Sequence, residues 1–371
     1  MNFKKEEYSE AYYSKKVSTN DVNPQFLNSE VNRALSKTKA YADSNSINFV
    51  FITDIHYTCF PSDEIRLKRM INIYHTLKKQ LDFLPLFIGG DHIGDGCVKY
   101  KKEMFRKLSE NLNDVTYFPI NGNHDDGTIW GMKHSDSQNK AEFLSHKDLF
   151  SLFYSKLENA GCKVEADNKL YYLYDDINNK MRYIVLDVND VPYIYDENNK
   201  LKYNGQDLFI LSQQQLEWLG NQALKFNEDG WSVVVLLHGI KPDDDQDARY
   251  KHLVLLKELV GAFKNGKKIE FEYGNGELNR KIKFDFSEYL KADIIGYFAG
   301  DAHDNLYYRD KFDIPYIITA NAFPFYYDPP TVKRNDGDTS EICLKLITIN
   351  KLKRKIYVTA VGYGQDYVCQ Y

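Results

Sequence analysis

The sequence is short of most features that would take a chain out of the ordinary globular class. Five cysteines occur in 371 residues, Cys59, Cys97, Cys162, Cys343 and Cys369. Their number is odd, they stand far apart and none forms a CxxC pair, which argues against a disulfide framework and against a thiolate zinc site. No uncharged apolar run approaches the ~20 residues that span a bilayer, so no transmembrane helix and no membrane partner are expected. The N-terminal stretch MNFKKEEYSEAYYSKK has none of the apolar character of a secretory signal, and the expectation is a cytoplasmic protein. There is no internal repeat and no low-complexity linker that would divide two domains. A strong positive balance is missing as well. The formal net charge is −5, and the short basic clusters at 267–268 and 351–354 read as solvated loops. Nucleic acid held on a broad basic face is therefore disfavoured, except as a substrate.

What is present is enough apolar material, 43% of residues, to bury a sizeable core. Residues 1–46 are polar and read as an extension with one helix around 28–41, packed on the surface or mobile. From Ile47 the texture changes. INFVFIT is a short continuous apolar run, as in a strand buried on both faces. Residues 64–81 place Leu67, Met70, Ile71, Tyr74, Leu77 and Leu81 at helical spacing. A second strand is expected at 84–89, a helix at 99–111 and a third strand at 115–120. This alternation is that of crossover units in an α/β sheet. Further on, 170–175 and 182–187 read as a hairpin around DDINNK. Ser212 and Gln215 look like a capping box opening a helix. Strands are expected at 232–237, 294–299, 316–319, 343–349 and 355–361, a helix at 253–263, and a hairpin or loop at 274–277. Residues 47–371 thus read as one domain.

Five polar clusters stand directly after five of the apolar strands: Asp54 and His56; Asp91 and His92; Asn121 to Asp125; His238; and Asp301 and His303. Ligands of α/β sheets gather at the carboxyl ends of strands, so the five loops can meet at one place. Asp, Asn and His supply the oxygen and imidazole donors of divalent metals. Two metals about 3.5–4 Å apart would clamp a phosphoryl group and acidify a shared water, and a nearby neutral imidazole could protonate the departing alkoxide.

In this order the clusters resemble the motifs of the calcineurin-like metallophosphoesterases: D-x-H, G-D, G-N-H-[DE], a lone His after a strand, and G-H-x-H. The resemblance runs from about residue 47 to the C-terminus. It takes in LSQQQLEWL at 211–219 and the Gly-rich ending VTAVGYGQDY at 358–367. It implies an α/β fold, a four-layer αββα sandwich of two mixed β-sheets flanked by helices. It also implies metal-dependent hydrolysis of a phosphomonoester or phosphodiester by a metal-bridging hydroxide, without a covalent enzyme intermediate. Carried over, one metal would take Asp54, His56 and His303, and Asp91 would bridge both metals. The second would take Asn123 and His238. His124 would act at the leaving group, and Asp125 would orient the loop and the imidazole. The chain departs from the pattern at one position, where Asp301 stands for the first His of the last motif. A carboxylate can still ligate, but as a harder oxygen donor it favours manganese over zinc there, with iron, magnesium or calcium as alternatives. Two competing readings follow: a binding or structural protein that kept the sandwich and lost turnover, which only Asp301 supports, and a nuclease, which the acidic balance opposes.

Among the other histidines, His75 and His252 read as surface or cap residues, and His92 and His134 as neighbours of the site. Asp95 reads as a turn residue, and the acidic run at 243–245 as a solvated stretch near the pocket rim.

Overall fold

The structure is a computed structural model that describes residues 21–371 apart from residues 59, 83, 137, 166–168, 242–246 and 325–332. Cys59, the first twenty residues of the extension and the acidic run at 243–245 lie outside the described residues.

Helix α1 (Gln25–Tyr41) leads into β1 (Ser46–Ile52), and α2 (Pro61–Lys78), β2 (Leu86–Ile88), α3 (Val98–Asn111) and β3 (Tyr117–Pro119) follow as crossover units. Two short helices come next, α4 (Thr128–His134) and α5 (His146–Leu149), the latter running on as a wider turn to Tyr154. Then come β4 (Lys163–Val164), β5 (Tyr172–Asp176), β6 (Met181–Val185), α6 (Gln213–Trp218) and β7 (Ser232–Leu236). The last third holds α7 (Val254–Lys264), β8 (Lys268–Tyr273), β9 (Arg280–Asp285), β10 (Asp293–Ala299), β11 (Leu306–Arg309), β12 (Pro315–Ile318), β13 (Cys343–Asn350), β14 (Lys355–Gly362) and β15 (Tyr367–Gln370).

These strands form two large mixed sheets, ordered β15-β14-β13-β1-β2-β3 and β11-β12-β10-β7-β6-β5-β4, with β8-β9 as a separate hairpin. In the first sheet β1, β2 and β3 are parallel, and β13 joins β1 antiparallel. In the second, β6, β7, β10 and β12 are parallel. The continuous apolar runs of the sequence are these parallel strands, buried on both faces because a second layer covers each side.

The sheets face each other through aromatic side chains. Phe49 of β1 meets Tyr183 of β6 at 5.7 Å and Phe298 of β10 at 5.1 Å, both edge-on. All three rings are fully buried, and edge-to-face contact suits their quadrupoles. Cutting Phe49 to Ala would cost about 3–5 kcal/mol. On the outer face of the first sheet, α2 contributes Leu67, Met70 and Tyr74 and α3 contributes Met104, Phe105 and Leu108. On the outer face of the second, Leu216 of α6 and Leu255 and Leu259 of α7 pack with Val233 and Val235 of β7. The architecture is the four-layer αββα sandwich that the motifs imply.

Within the expected extension, α1 lays Leu27, Val31, Ala34 and Leu35 into the first core, a stripe at helical spacing. Arg33 of this helix pairs with Asp366 at 2.6 Å. The start of α6 carries half of the expected capping box. Ser212 accepts from the Gln215 backbone N–H, while the Gln215 side chain turns away to the backbone of Asp187.

Candidate metal centre

The carboxyl ends of β1, β2 and β3 in one sheet and of β7 and β10 in the other open at the same edge of the sandwich. Their loops are knitted together by backbone bonds. Asp54 N–H donates to Gly90 O at 2.9 Å, His56 N–H to Asp91 O at 2.8 Å and Gly300 N–H to His238 O at 2.7 Å. The approach leaves no room for side chains at two glycines. A Cβ on Gly122 would lie 2.0 Å from Asp91 N, and one on Gly300 would lie 2.0 Å from Thr53 Oγ1.

The backbone bends sharply to turn the donors inward. Asp54, His56, Asp91, Asp301 and His303 all have positive φ, between 45° and 63°. They make up five of the nine non-glycine residues in that region among the described ones. Asp and His tolerate this conformation better than most residues, yet each instance costs about 1–3 kcal/mol. Strain gathered on the candidate donors, and sparse elsewhere, marks a place where side-chain direction outweighs backbone comfort.

Two sets of donors result. Ligand atoms of Asp54, His56 and His303 lie within 4.8 Å of one another, and so do those of Asp54, Asp91 and His238. His56 Nε2 faces His303 Nε2 at 3.1 Å, and His303 Nε2 is 3.3 Å from Asp54 Oδ1, a buried oxygen with no hydrogen-bond partner among the described residues. On the other side His238 Nε2 lies 2.8 Å from Asn123 Oδ1, 3.4 Å from Asp91 Oδ2 and 3.8 Å from Asp301 Oδ1. The other nitrogen of His238, Nδ1, is 2.8 Å from Gly89 O, which can only accept. Nδ1 therefore carries a hydrogen, and in the neutral ring Nε2 presents a lone pair to three oxygens. Acceptors crowded at 2.8–3.4 Å repel one another unless a cation or proton lies among them. Donors about 2.1 Å from a metal stand ~3 Å apart along the edges of its coordination shell, so the set fits divalent ions.

The titrating groups respond to the same crowding. Burial, with the imidazoles of His124 and His303 added, brings His56 down to about 3, so its ring stays neutral. Burial alone would raise Asp91, but the imidazoles of His238 and His124 hold it well below the usual carboxylate range. Burial likewise opposes the charged form of His124, yet Asp91 and Asp95 raise its pKa.

A pocket of about 320 Å³ opens on these loops, lined in part by Asp91, Asn123, His124, Asp301 and His303. The His124 imidazole is held there by Asp95, with Nδ1 to Oδ1 at 2.7 Å. Asp125 turns the other way. Its carboxylate accepts from the backbone of Gly122 and His92 and meets His92 Nδ1 at 2.7 Å, fixing loop rather than ring. His92 is thus buried beneath the site, while His134 stacks on Trp130 and is exposed.

Sequence reasoning missed three features. Asp95 was legible only as a turn, although its spacing of four from Asp91 could have flagged it. Lys101 of α3 is fully buried and donates to the carbonyls of Gly94 and His124, tying two site loops together. Arg249 and Tyr250 bond Asp301, Arg249 through Nη1 to Oδ1 at 2.9 Å and Tyr250 through its hydroxyl to Oδ2. No motif announces either residue.

The family model for calcineurin-like phosphoesterases matches residues 47–304. No curated protein matches the chain in sequence. Among solved structures, a dimetal phosphatase from Danio rerio is similar at TM-score 0.54 and 13% identity, over 88% of this chain and 99% of that one. A 5′-nucleotidase precursor from Thermus thermophilus is matched at TM-score 0.35 and 11% identity, over 82% of this chain and 51% of that one. The NAD nucleotidase of Haemophilus influenzae is matched at 0.39 and 12%, over 88% and 53%. At these identities the first likeness is one of fold.

Proposed function

The chain belongs to the calcineurin-like phosphoesterase family, and from that premise we propose that it hydrolyses a phosphomonoester or phosphodiester at the pocket lined by Asp91, Asn123, His124, Asp301 and His303. Membership implies metal-dependent phosphoester hydrolysis in general. The residues and the substrate class are our reading, and one observation carries it. Four loops from two sheets bring two donor sets that overlap at Asp54, Asp54–His56–His303 and Asp54–Asp91–His238, each within 4.8 Å, and a fifth brings Asn123 Oδ1 to 2.8 Å from His238 Nε2.

In this reading one cation is held by Asp54, His56 and His303, the other by Asn123, His238 and Asp301, and Asp91 is shared. Bound there, two divalent ions supply positive charge to the phosphoryl oxygens and lower the pKa of water. Manganese is favoured, since Asp301 and Asn123 add oxygen donors. His124 is the general acid. Its raised pKa keeps a proton available for the leaving oxygen, and Asp95 orients the ring through Nδ1 so that Nε2 faces the pocket. Asp125 and Lys101 hold the loops that carry these groups.

The test is turnover of mono- and bis-nitrophenyl phosphate by the full chain with added Mn²⁺. Hydrolysis of either supports the reading. Two bound metals with activity on neither ester, nor on a panel of natural phosphate esters, would instead favour a binding protein on this fold.

A further inference from the structure

Asp301 is nearly enclosed, with 4% of its side chain exposed. It sits 3.8 Å from His238 Nε2 in a pocket that also holds the Asp91 carboxylate. A third carboxylate beside Asp54 and Asp91 should make this end of the pocket repel a phosphate. The structure places a full positive charge against it instead. Arg249 donates from Nη1 to Asp301 Oδ1 at 2.9 Å and from Nη2 to the Tyr250 hydroxyl at 2.8 Å, and that hydroxyl in turn donates to Asp301 Oδ2. The guanidinium carbon lies against two rings that meet edge-on, 5.0 Å from the centre of Phe209 and 4.8 Å from that of Tyr250. The two rings confine the guanidinium, and the carboxylate and hydroxyl fix its orientation. A guanidinium fork carries five N–H donors, and these two bonds use two of them. Arg249 lines the same pocket as Asp91, His124 and His303.

We propose that Arg249 is the anion-binding residue of this pocket, aimed by Asp301 and Tyr250, and that its charge holds the phosphoryl group while loosening the adjoining cation position. The assignment rests on the phosphoesterase reading for the identity of the anion, though not for the geometry. The physical argument has two arms of opposite sign. A planar fork held in place by the Asp301 carboxylate and the Tyr250 hydroxyl suits a tetrahedral oxyanion, and bonds of this charge-assisted kind are the strong ones. The same guanidinium repels a divalent ion that shares Asp301 with it. Loss of the charge should therefore weaken anion binding and strengthen cation binding at once. A residue that only supports the fold would weaken both.

The experiment uses the full chain and its Arg249→Met variant, which keeps much of the length and the apolar stem beside the two rings. Calorimetric titrations are run with Mn²⁺ on metal-depleted protein and with inorganic phosphate on metal-loaded protein. The expected result is phosphate binding weakened about 10- to 100-fold, with the weaker Mn²⁺ step tightened at least about threefold. Arg249→Lys, which keeps the charge and loses the fork, should recover part of the phosphate affinity and hold Mn²⁺ as the parent does. Loss of both affinities together, or unchanged phosphate binding, would overturn the proposal. The Lys variant decides the matter if the Met variant does not fold. If the parent hydrolyses no nitrophenyl phosphate but the titrations follow the expected pattern, the anion site stands and the hydrolytic reading falls. If the parent hydrolyses and the titrations do not follow it, the reverse holds.

Discussion

At one end of the candidate centre Asp54, His56 and His303 converge, while at the other Asn123 and His238 stand near Asp301, which is itself gripped by Arg249 and Tyr250. Both ends rest on short loops at strand ends, and Asp91, the donor shared in the proposed arrangement, has Oδ2 3.7 Å from His56 Nε2 and 3.4 Å from His238 Nε2. The first end has one carboxylate and two imidazoles turned to a common point. The second has one imidazole, one amide oxygen and one carboxylate, that of Asp301, against which a guanidinium stands. The first set offers two imidazoles and a buried carboxylate, so it should bind a cation tightly. The second is tuned by groups that also face the pocket, so it should bind more weakly and take part in anion recognition.

Replacing Asp91 with Ala should have the largest effect, because it removes the donor common to both ends. Turnover is expected to fall on the order of 10⁴-fold or more, since water loses the acidification two metals supply. Metal analysis of the purified variant should show both ions depleted. Retention of two ions would end the account of Asp91 as the shared donor.

His124→Ala should come next, with turnover lowered about 10²- to 10⁴-fold and metal content unchanged. Loss of metal would move His124 from acid to ligand and redraw the boundary between the two ends.

Asp95→Asn should have the smallest effect, about 10- to 100-fold on kcat, and it carries a pH signature. Asp91 and Asp95 raise the His124 pKa above its ordinary value against the effect of burial. The acid form thus persists to higher pH, and activity is lost as pH rises through that raised pKa. Removing the Asp95 charge lowers it, so the alkaline limb of the rate profile should move to lower pH. A profile with unmoved limbs would make Asp95 a structural residue only.

Much of this was legible in the chain, for local reasons. The strands β1, β2, β7 and β10 are continuous apolar runs because a sheet faces them on one side and helices on the other. The donors Asp54, Asp91, His238 and His303 follow those runs directly, so their convergence could be read once the strands were parallel. α2 and α7 showed their period over three or more turns. α4, with seven residues and Gly127 in place of a capping side chain, is too short to show one. β4, β11 and β15 are edge or terminal strands of two to four residues, stabilised by pairing and not by composition. Arg249 was invisible for a different reason. Its partner Asp301 lies 52 residues away, and an ion pair made only by tertiary approach leaves no local pattern. The partner of His124 was missed in a milder way: the spacing of Asp95 from Asp91 suits a turn, and its second task appears only when the loop after β3 folds over it.

The central claim is that the two cation positions are unlike. Anomalous diffraction from metal-depleted crystals soaked in rising concentrations of MnCl₂ tests it most directly. The account predicts a peak among Asp54, His56, Asp91 and His303 at the lowest concentration, and a second among Asp91, Asn123, His238 and Asp301 only at higher concentration. Equal occupancy at every concentration, or filling of the Asp301 position first, would contradict it.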